Sequence, residues 1–114
     1  MQHTTDSTFI HDVINSPLPV IVDFWADWCG PCKTLAPVLE QLEGVLEGQV
    51  KILKLDTDAN PDSPQAYGIR SIPTLLIFHK KEVVGQLIGA VSKQSILDAL
   101  AQRKLYPPPS EIPI

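Results

Sequence analysis

The chain has 114 residues, of which 44% are hydrophobic and 19% charged, and its formal net charge is −4. This length fits one domain and leaves no room for a second. The negative charge and the lack of a basic cluster argue against nucleic acid as a partner. The apolar runs are too short to span a membrane, and residues 1–6 do not resemble a signal peptide, so we expect a cytoplasmic protein.

Three elements are predicted in the first half of the chain. Apolar residues at helical spacing in residues 9–14 predict a first helix, with Asp6 or Ser7 as its N-cap. The apolar run Val20–Trp25 is typical of a strand buried on both faces. Apolar residues at 32, 35, 36, 39, 42, 45 and 46 predict one buried face of a second helix that ends near Gly48.

The next segment completes a strand, helix and strand unit. Residues 50–55 alternate apolar residues with lysines and predict a second strand, so both cysteines lie at the turn between the first strand and the helix. A polar loop follows. Pro64 is suited to the first position of a short helix, and Gly68 to its end.

The last part of the domain is predicted to be a hairpin and a helix. Residues 74–78 and 82–88 predict two antiparallel strands, joined at Lys80-Lys81, with the second weakened by Gly85. Ser92 is the expected cap of the final helix, whose C-terminal dipole Arg103 and Lys104 would complement. We therefore expect a domain over residues 1–105 and a Pro-rich tail over residues 106–114, either a plain surface extension or a partner ligand.

The motif Cys-x-x-Cys at Cys29 and Cys32 has three possible uses. A zinc site needs four ligands, and the three histidines are scattered along the chain. A structural disulfide that closes only two intervening residues would restrict the unfolded chain little. Because thiols are kept reduced in the cytoplasm, the pattern favours a redox couple.

Three separate stretches carry a family resemblance. They are Trp-Cys-Gly-Pro-Cys-Lys at 28–33, Val-Asp-Phe-Trp-Ala at 22–26 and Gly-Ile-Arg-Ser-Ile-Pro-Thr at 68–74. Together they make the chain similar to the thioredoxin family over residues 9–100, and a Cys-x-x-Cys beside a βαβ unit is that family's known signature.

The resemblance implies an α/β thioredoxin fold, with a central four- or five-stranded mixed sheet flanked by helices. It also implies a thiol–disulfide oxidoreductase that carries electrons to disulfides of target proteins, as a monomer without cofactor or metal. Its electron donor would be a thioredoxin reductase, NADPH- or ferredoxin-linked. Three departures are visible. The short segment before residue 9 leaves the family's first edge strand reduced or missing, Lys80-Lys81 replaces the usual Asn-Gly-like turn, and the Pro-rich tail extends past the family's usual end.

Roles for the redox pair follow from its position at a helix N-terminus. Unpaired N–H groups and the helix dipole stabilise a thiolate there, so Cys29 is the predicted exposed nucleophile. Cys32, one turn further on, is the predicted resolving thiol. Gly30 and Pro31 bring no cation to the thiolate, which predicts a reductant.

One carboxylate lies within the predicted buried strand. Burial should raise the pKa of Asp23, and the resemblance assigns it proton transfer with Cys32, with Lys54 as a tuning partner. Alternatively, Asp23 is a polar residue satisfied by backbone N–H groups, and Lys54 is simply solvated.

The resemblance also implies a docking surface. Pro73 matches the family's cis-proline, which leaves the Ile72 backbone free to pair with an extended substrate. Trp25 is expected beneath this surface as core, whereas Trp28 serves either packing or recognition. The predicted surface consists of Trp28, Gly30, Pro31, Ile72, Pro73, Gly89 and Ala90.

Two rival functions remain open from the sequence. One is a dedicated oxidoreductase with few targets. The other is a protein-binding module in which the cysteines are incidental, although such a scaffold has no need of a buried Asp23.

Overall fold

The fold is known from a computed structural model that describes residues 1–107, so most of the predicted tail lies outside the described residues. None of the helices in this part of the chain is long and apolar enough to cross a membrane. The elements in chain order are β1 (Gln2–His3), a π-helical turn (Ile10–Ile14), β2 (Val20–Trp25), α1 (Gly30–Val45), β3 (Lys51–Asp56), α2 (Asp62–Ala66), β4 (Thr74–His79), β5 (Glu82–Ile88) and α3 (Lys93–Gln102).

The strands form one five-stranded mixed sheet in the order β1-β3-β2-β4-β5. β1 and β2 pair with β3 in parallel, whereas β4 is antiparallel to both β2 and β5. β2 lies at the centre, and its residues from Val20 to Phe24 are buried, as its continuous apolar sequence predicts. The predicted fold class is confirmed.

Each face of the sheet packs against its own apolar cluster. On one face, α1 and α3 contribute Leu35, Leu39 and Ile96 around Ile21 of β2. The opposite face carries a smaller aromatic cluster that includes Phe9, Val22, Phe24 and Phe78. Burying each such side chain contributes roughly 1.5–3 kcal/mol, so both sides hold the central strand.

The first edge strand is present but reduced to two residues. Gln2 and His3 pair with Leu53 and Lys54 of β3, and the Thr4 N–H continues the pairing to the Lys54 carbonyl at 2.8 Å. The sequence left open whether this strand was reduced or missing, and the structure decides for the former.

The predicted N-cap of the first helix is wrong. Thr5 and Thr8 cap each other instead: the Thr8 N–H donates to Thr5 Oγ1 at 3.2 Å, and the Thr5 N–H donates to Thr8 Oγ1 at 3.1 Å. This reciprocal pair satisfies two amides that would otherwise lack partners. The Asp6 carboxylate is thereby free to bond elsewhere.

The short helix α2 begins at Asp62, two residues before the predicted start at Pro64. The Asp6 carboxylate accepts hydrogen bonds from the N–H groups of Asp62 and Ser63, at 3.0 and 2.8 Å, and so supplies a cap from a distant part of the chain. The predicted end is confirmed, since Gly68 follows the helix with φ +66°.

Helix α1 buries the predicted face with one exception. Cys32, Leu35, Leu39 and Leu42 point inward. Val45 is 41% exposed, because Leu46, one turn after Leu42, takes the buried position at the end of the helix.

The β4–β5 hairpin turns at Lys80 and Lys81, which have φ values of 51° and 72°. Positive φ at both central residues is what a type I′ turn requires, so lysines here adopt the geometry usually given to Asn-Gly. The predicted hairpin is confirmed together with its turn position.

Gly85 lies beside a β-bulge in β5. Ile77 pairs with Gly85 and Phe78 with Val83, so Val84 is the extra residue. The Arg103 side chain covers this position: a Cβ on Gly85 would lie only 2.6 Å from Arg103 Nε. Gly85 therefore provides space for a guanidinium group.

Arg103 joins the end of α3 to this bulge. Its Nε donates to the Val84 carbonyl at 2.6 Å, and its Nη1 donates to the Ala99 carbonyl at 2.7 Å. The second bond satisfies a carbonyl of the last helical turn, as the sequence predicts for a C-terminal cation. At the other end of α3, Ser92 Oγ accepts from the Ser95 N–H at 3.1 Å, which confirms the predicted cap.

Candidate active site

Cys29 and Cys32 form a disulfide at the N-terminus of α1, with their Cα atoms 5.3 Å apart. Cys29 is the N-cap residue in an extended conformation, and its Sγ accepts the Cys32 N–H at 3.2 Å. Pro31 occupies the first turn, where its missing N–H costs nothing. The local sequence thus starts the helix with a sulfur atom facing its free amides.

Cys29, which was predicted to be exposed, is less accessible than expected. Cys29 is only 4% exposed and Cys32 5% exposed. The Cys29 Sγ lies 3.7 Å from the Ile72 carbonyl oxygen, which belongs to the loop that precedes β4. The Ile72 carbonyl therefore borders the Cys29 sulfur.

The Ile72–Pro73 peptide bond is cis, as the resemblance implies. The Pro73 carbonyl accepts the Gly89 N–H at 2.9 Å, which ties this loop to the end of β5. Gly89 has φ +90°, a conformation that favours glycine, and Ala90 beside it is exposed.

A groove of about 340 Å³ begins beside the disulfide. Trp28 forms one wall and is 70% exposed, with its Nε1 donating to Asp58 Oδ2 at 2.9 Å. Because of this exposure, Trp28 is not a core residue. The hydrogen bond to Asp58 fixes the orientation of its indole. The residues that line the groove are Trp28, Thr57, Pro64, Ile69, Arg70, Ser71 and Ile72.

Asp23 is buried in the middle of β2 and is only 1% exposed. Its Oδ1 lacks a hydrogen-bond partner within the described part of the chain. Burial raises the pKa of Asp23 to about 6, and the positive charge of Lys54 partly offsets that rise. Because side chains alternate along a strand, Asp23 shares with Ile21 the face that α1 and Cys32 cover.

Lys54 is the register partner of Asp23 across β2 and β3. Its Nζ lies 4.1 Å from the centroid of the Trp25 ring, a cation–π contact. Trp25, Lys54 and Cys32 all line a small cleft of about 100 Å³. This volume exceeds that of one water molecule, so Cys32 and Lys54 border a space large enough to hold water.

Comparison with known proteins decides the family. The thioredoxin family model matches residues 1–102. The chain belongs to the thioredoxin family. It is 50% identical over 96 residues to thioredoxin from Rickettsia felis, covering 84% of this chain and 91% of that protein. Thioredoxin from Synechocystis sp. is also 50% identical over 96 residues (84% of this chain, 90% of that protein), and Thioredoxin 1 from Nostoc sp. is 49% identical over 96 residues (84% and 90%).

Membership of the thioredoxin family, together with the paired cysteines, gives the chemistry. The protein is a thiol–disulfide oxidoreductase that reduces disulfides through the Cys29–Cys32 pair. Thioredoxins act between a reductase that supplies electrons and proteins that carry disulfides, so partners of both kinds are expected in general terms.

The thioredoxin site contains some of the predicted surface and also residues that the sequence did not indicate. Trp28 and Ile72 line the groove, whereas Gly30, Pro31 and Ala90 are exposed without lining it. The prediction that Pro73 forms part of this surface is wrong, because Pro73 is buried. Pro64 and Ile69 to Ser71 also line the groove. In the sequence, Pro64 indicates only the start of a helix, and residues 69–71 are only part of the family motif. Their proximity in sequence to Ile72 was the one available signal.

Proposed function

We propose that Cys29 is the nucleophile and Cys32 the resolving thiol of a general protein-disulfide reductase. The Cys29 thiolate attacks a target disulfide, forms a mixed disulfide and releases one target thiolate. Cys32, as thiolate, then attacks Cys29 Sγ and releases the second target thiol. The target gains two electrons, and the Cys29–Cys32 disulfide is re-formed.

The main support for these roles is a hydrogen bond from the backbone amide of Cys32 to the sulfur of Cys29. The Cys32 N–H donates to Cys29 Sγ at 3.2 Å at the start of α1, and that contact stabilises a thiolate on Cys29 rather than on Cys32. Gly30 and Pro31 add no cation to the thiolate, which supports a reducing rather than an oxidising poise.

Asp23 serves as the base for the resolving step in this proposal. A carboxyl group whose pKa is raised to about 6 is ionised near neutral pH and remains a competent proton acceptor. It lies on the face covered by α1 and accepts the Cys32 proton directly or through water. Lys54 moderates the pKa of Asp23 and is a tuning residue.

The groove beside Trp28 receives the target polypeptide. Ile72 lies 3.7 Å from the attacking sulfur, so an extended segment that pairs with its backbone brings a disulfide to Cys29. The hydrogen bond from Gly89 to the Pro73 carbonyl holds this loop to the end of β5, and Ala90 follows Gly89 there. The mostly apolar walls suit many sequences, which favours a general reductase over a dedicated one.

Location, electron donor and assembly complete the proposal. The chain works in the cytoplasm as a monomer, reduced by an NADPH- or ferredoxin-linked thioredoxin reductase. Its domain spans residues 1–105 and needs neither cofactor nor metal. The two cysteines of the sequence form the redox pair. This use of cysteine fits the cytoplasm, where structural disulfides are rare.

Trapping of a mixed disulfide tests the roles of the two cysteines. Cys32→Ser should accumulate a covalent complex with a small disulfide-containing protein such as insulin, whereas Cys29→Ser should form none. Loss of turnover in both variants is expected from either assignment, so the trapped complex is the informative readout. Trapping by Cys29→Ser alone would reverse the assignment, and equal trapping by the two variants would abolish it. A double Cys-to-Ser variant that keeps its cellular role would favour a binding module.

A further inference from the structure

Asp6 joins the N-terminal segment to a helix more than fifty residues away. Its Oδ1 accepts the Ser63 N–H at 2.8 Å and the Ser63 hydroxyl at 2.6 Å, and its Oδ2 accepts the Asp62 N–H at 3.0 Å. These bonds satisfy the first amides of α2, whose own N-cap residue Pro61 has no side-chain acceptor.

Helix α2 forms one wall of the groove beside the disulfide. Pro64, directly after the anchored Ser63, lines the groove and is buried. The Pro64 carbonyl accepts the Ile69 N–H at 2.9 Å, and Ile69 lines the groove as well. The start of α2, held by Asp6, therefore sets the position of this wall.

The backbone of the same residue is connected to the opposite wall. The Asp6 N–H donates to Asn60 Oδ1 at 3.0 Å, and Asn60 Nδ2 donates to the Asp56 carbonyl at 3.1 Å. Asp56 Oδ1 accepts the Asp58 N–H at 2.9 Å, and Asp58 Oδ2 accepts the Trp28 Nε1–H at 2.9 Å. An unbroken series of contacts runs from Asp6 to the tryptophan.

We propose that Asp6 is a positioning residue that fixes the separation of the two groove walls, and thereby the affinity for disulfide-containing polypeptides but not for small disulfides. This inference rests on the proposed function, in which the groove docks the target.

Asp6 carries the charge that this role needs. Partial burial alone would raise its pKa, but hydrogen bonds from Ser63 and Asp62 hold the pKa of Asp6 below its ordinary value. The carboxylate is therefore ionised at neutral pH, and charge-assisted bonds of this type are stronger than neutral ones.

The test compares two substrates in the full-length protein. Asp6→Ala should raise KM for insulin about tenfold, the effect expected when a helix cap of this kind is lost at a binding wall. The reaction with 5,5′-dithiobis(2-nitrobenzoic acid), a small disulfide that needs no groove, should change by less than about twofold. Asp6→Asn keeps one neutral acceptor for the amides and should raise KM for insulin by less than Asp6→Ala does.

Asp12→Asn is the matched control. Asp12 lies in the same segment, and its Oδ2 accepts the Thr4 hydroxyl at 2.9 Å without reaching α2 or the groove. It should lower stability while leaving KM for insulin unchanged. Asn60→Ala, which removes only the second connection, should raise KM by a smaller factor, and it keeps the test valid if Asp6→Ala folds poorly.

Trp28→Ala separates the failure of this inference from the failure of the docking proposal. If Trp28→Ala raises KM for insulin and a folded Asp6→Ala does not, Asp6 has no positioning role and the groove still docks targets. If neither variant changes KM, both proposals are overturned. Equal losses with insulin and the small disulfide would also overturn the inference, because they would indicate a general disturbance of the redox pair.

Discussion

The Lys54 ammonium lies 4.1 Å from the centroid of the Trp25 ring, although Lys54 stands directly opposite Asp23 in the register of β2 and β3. The buried carboxylate is thus influenced by the lysine charge while its Oδ1 remains without a hydrogen bond among the described residues. A close ion pair would hold the Asp23 pKa low. Burial instead raises the Asp23 pKa to about 6, and the charge of Lys54 offsets only part of that rise.

The first prediction concerns the stability of Asp23→Asn. The pKa of Asp23 is raised from 3.8 to about 6 in the folded state, so the folded protein binds its proton more tightly than the unfolded chain. Wild-type stability is therefore lost progressively as pH rises from 3.8 to about 6, and the loss is constant above that range. Asp23→Asn should be more stable at neutral pH, by up to about 3 kcal/mol, and close to wild type below the unfolded pKa.

Urea unfolding of the oxidised protein across this pH range measures the effect. Asp12→Asn provides a control of opposite sign: partial burial alone would raise the pKa of Asp12, but hydrogen bonds from Thr8, His11 and Thr4 lower it overall. That variant should lose stability above the unfolded pKa and converge with wild type in acid. Destabilisation of Asp23→Asn at every pH, with resolution of the mixed disulfide at the wild-type rate, would identify a structural carboxylate and end the proposed proton transfer.

The second prediction is that Lys54→Met raises the pKa of Asp23 above its wild-type value of about 6. The lysine charge is the one factor that lowers this pKa, and methionine keeps a long apolar side chain beside Trp25. The pH dependence of the resolving step should shift upward with it, as followed by decay of the mixed disulfide. Lys51→Met is a suitable control, because the Lys51 Nζ donates to the Asp12 carbonyl at 3.3 Å, outside the active site. An unchanged profile in Lys54→Met would mean that Lys54 does not tune Asp23.

The third prediction is that the effect of Gly85→Ala on stability changes sign when the Arg103 side chain is removed. Gly85→Ala should destabilise the wild type by roughly 1–2 kcal/mol, because its Cβ would displace the guanidinium from the Val84 carbonyl. In an Arg103→Ala background the same change should be neutral or stabilising, since alanine then replaces a flexible glycine without a clash. A double-mutant cycle by chemical unfolding measures the coupling. Additive effects would show that Arg103 does not depend on Gly85.

The overall fold could be predicted from sequence because its elements have clear local signals. The continuous apolar run predicts β2, and apolar residues at helical spacing predict α1. The capping role of Ser92 depends only on Ser95, three residues later. Asp6 could not be assigned, because its partner Ser63 is 57 positions away and only the folded chain brings them together. The same contact moved the start of α2 away from Pro64.

The active site divides in the same way. Cys29 and Cys32 are recognisable because the chemistry needs them at a fixed spacing beside a helix N-terminus. The groove wall that includes Pro64 depends on how a loop folds over the sheet. The spacing of apolar residues along the sequence does not indicate this. The contact of Lys54 with Trp25 likewise depends on a choice among side-chain rotamers rather than on strand register.

The fourth prediction is that removal of residues 108–114 leaves reductase activity intact. Leu105 and Tyr106 pack against the core beneath α1 and α3, so the shortened chain keeps its last apolar contacts. Turnover of insulin and the midpoint of thermal unfolding should both match the full chain. Truncation after Arg103 is the contrasting variant and should lower the midpoint, because it removes Leu105 and Tyr106. A large loss of activity on removal of residues 108–114 alone would move the functional boundary of the domain into the tail.

Helix α3 follows its N-cap Ser92, close to the Gly89 that bonds Pro73, and leads into its C-cap Arg103, which donates to the Val84 carbonyl near the start of β5. Because β5 starts where β4 ends, Arg103 lies at the end of the sheet remote from the disulfide. A polypeptide fused after Pro107 therefore leaves the protein at the end of the sheet remote from the disulfide. Immobilising the protein on a bead or electrode through such a fusion should leave the disulfide facing solution, open to both electron donor and target.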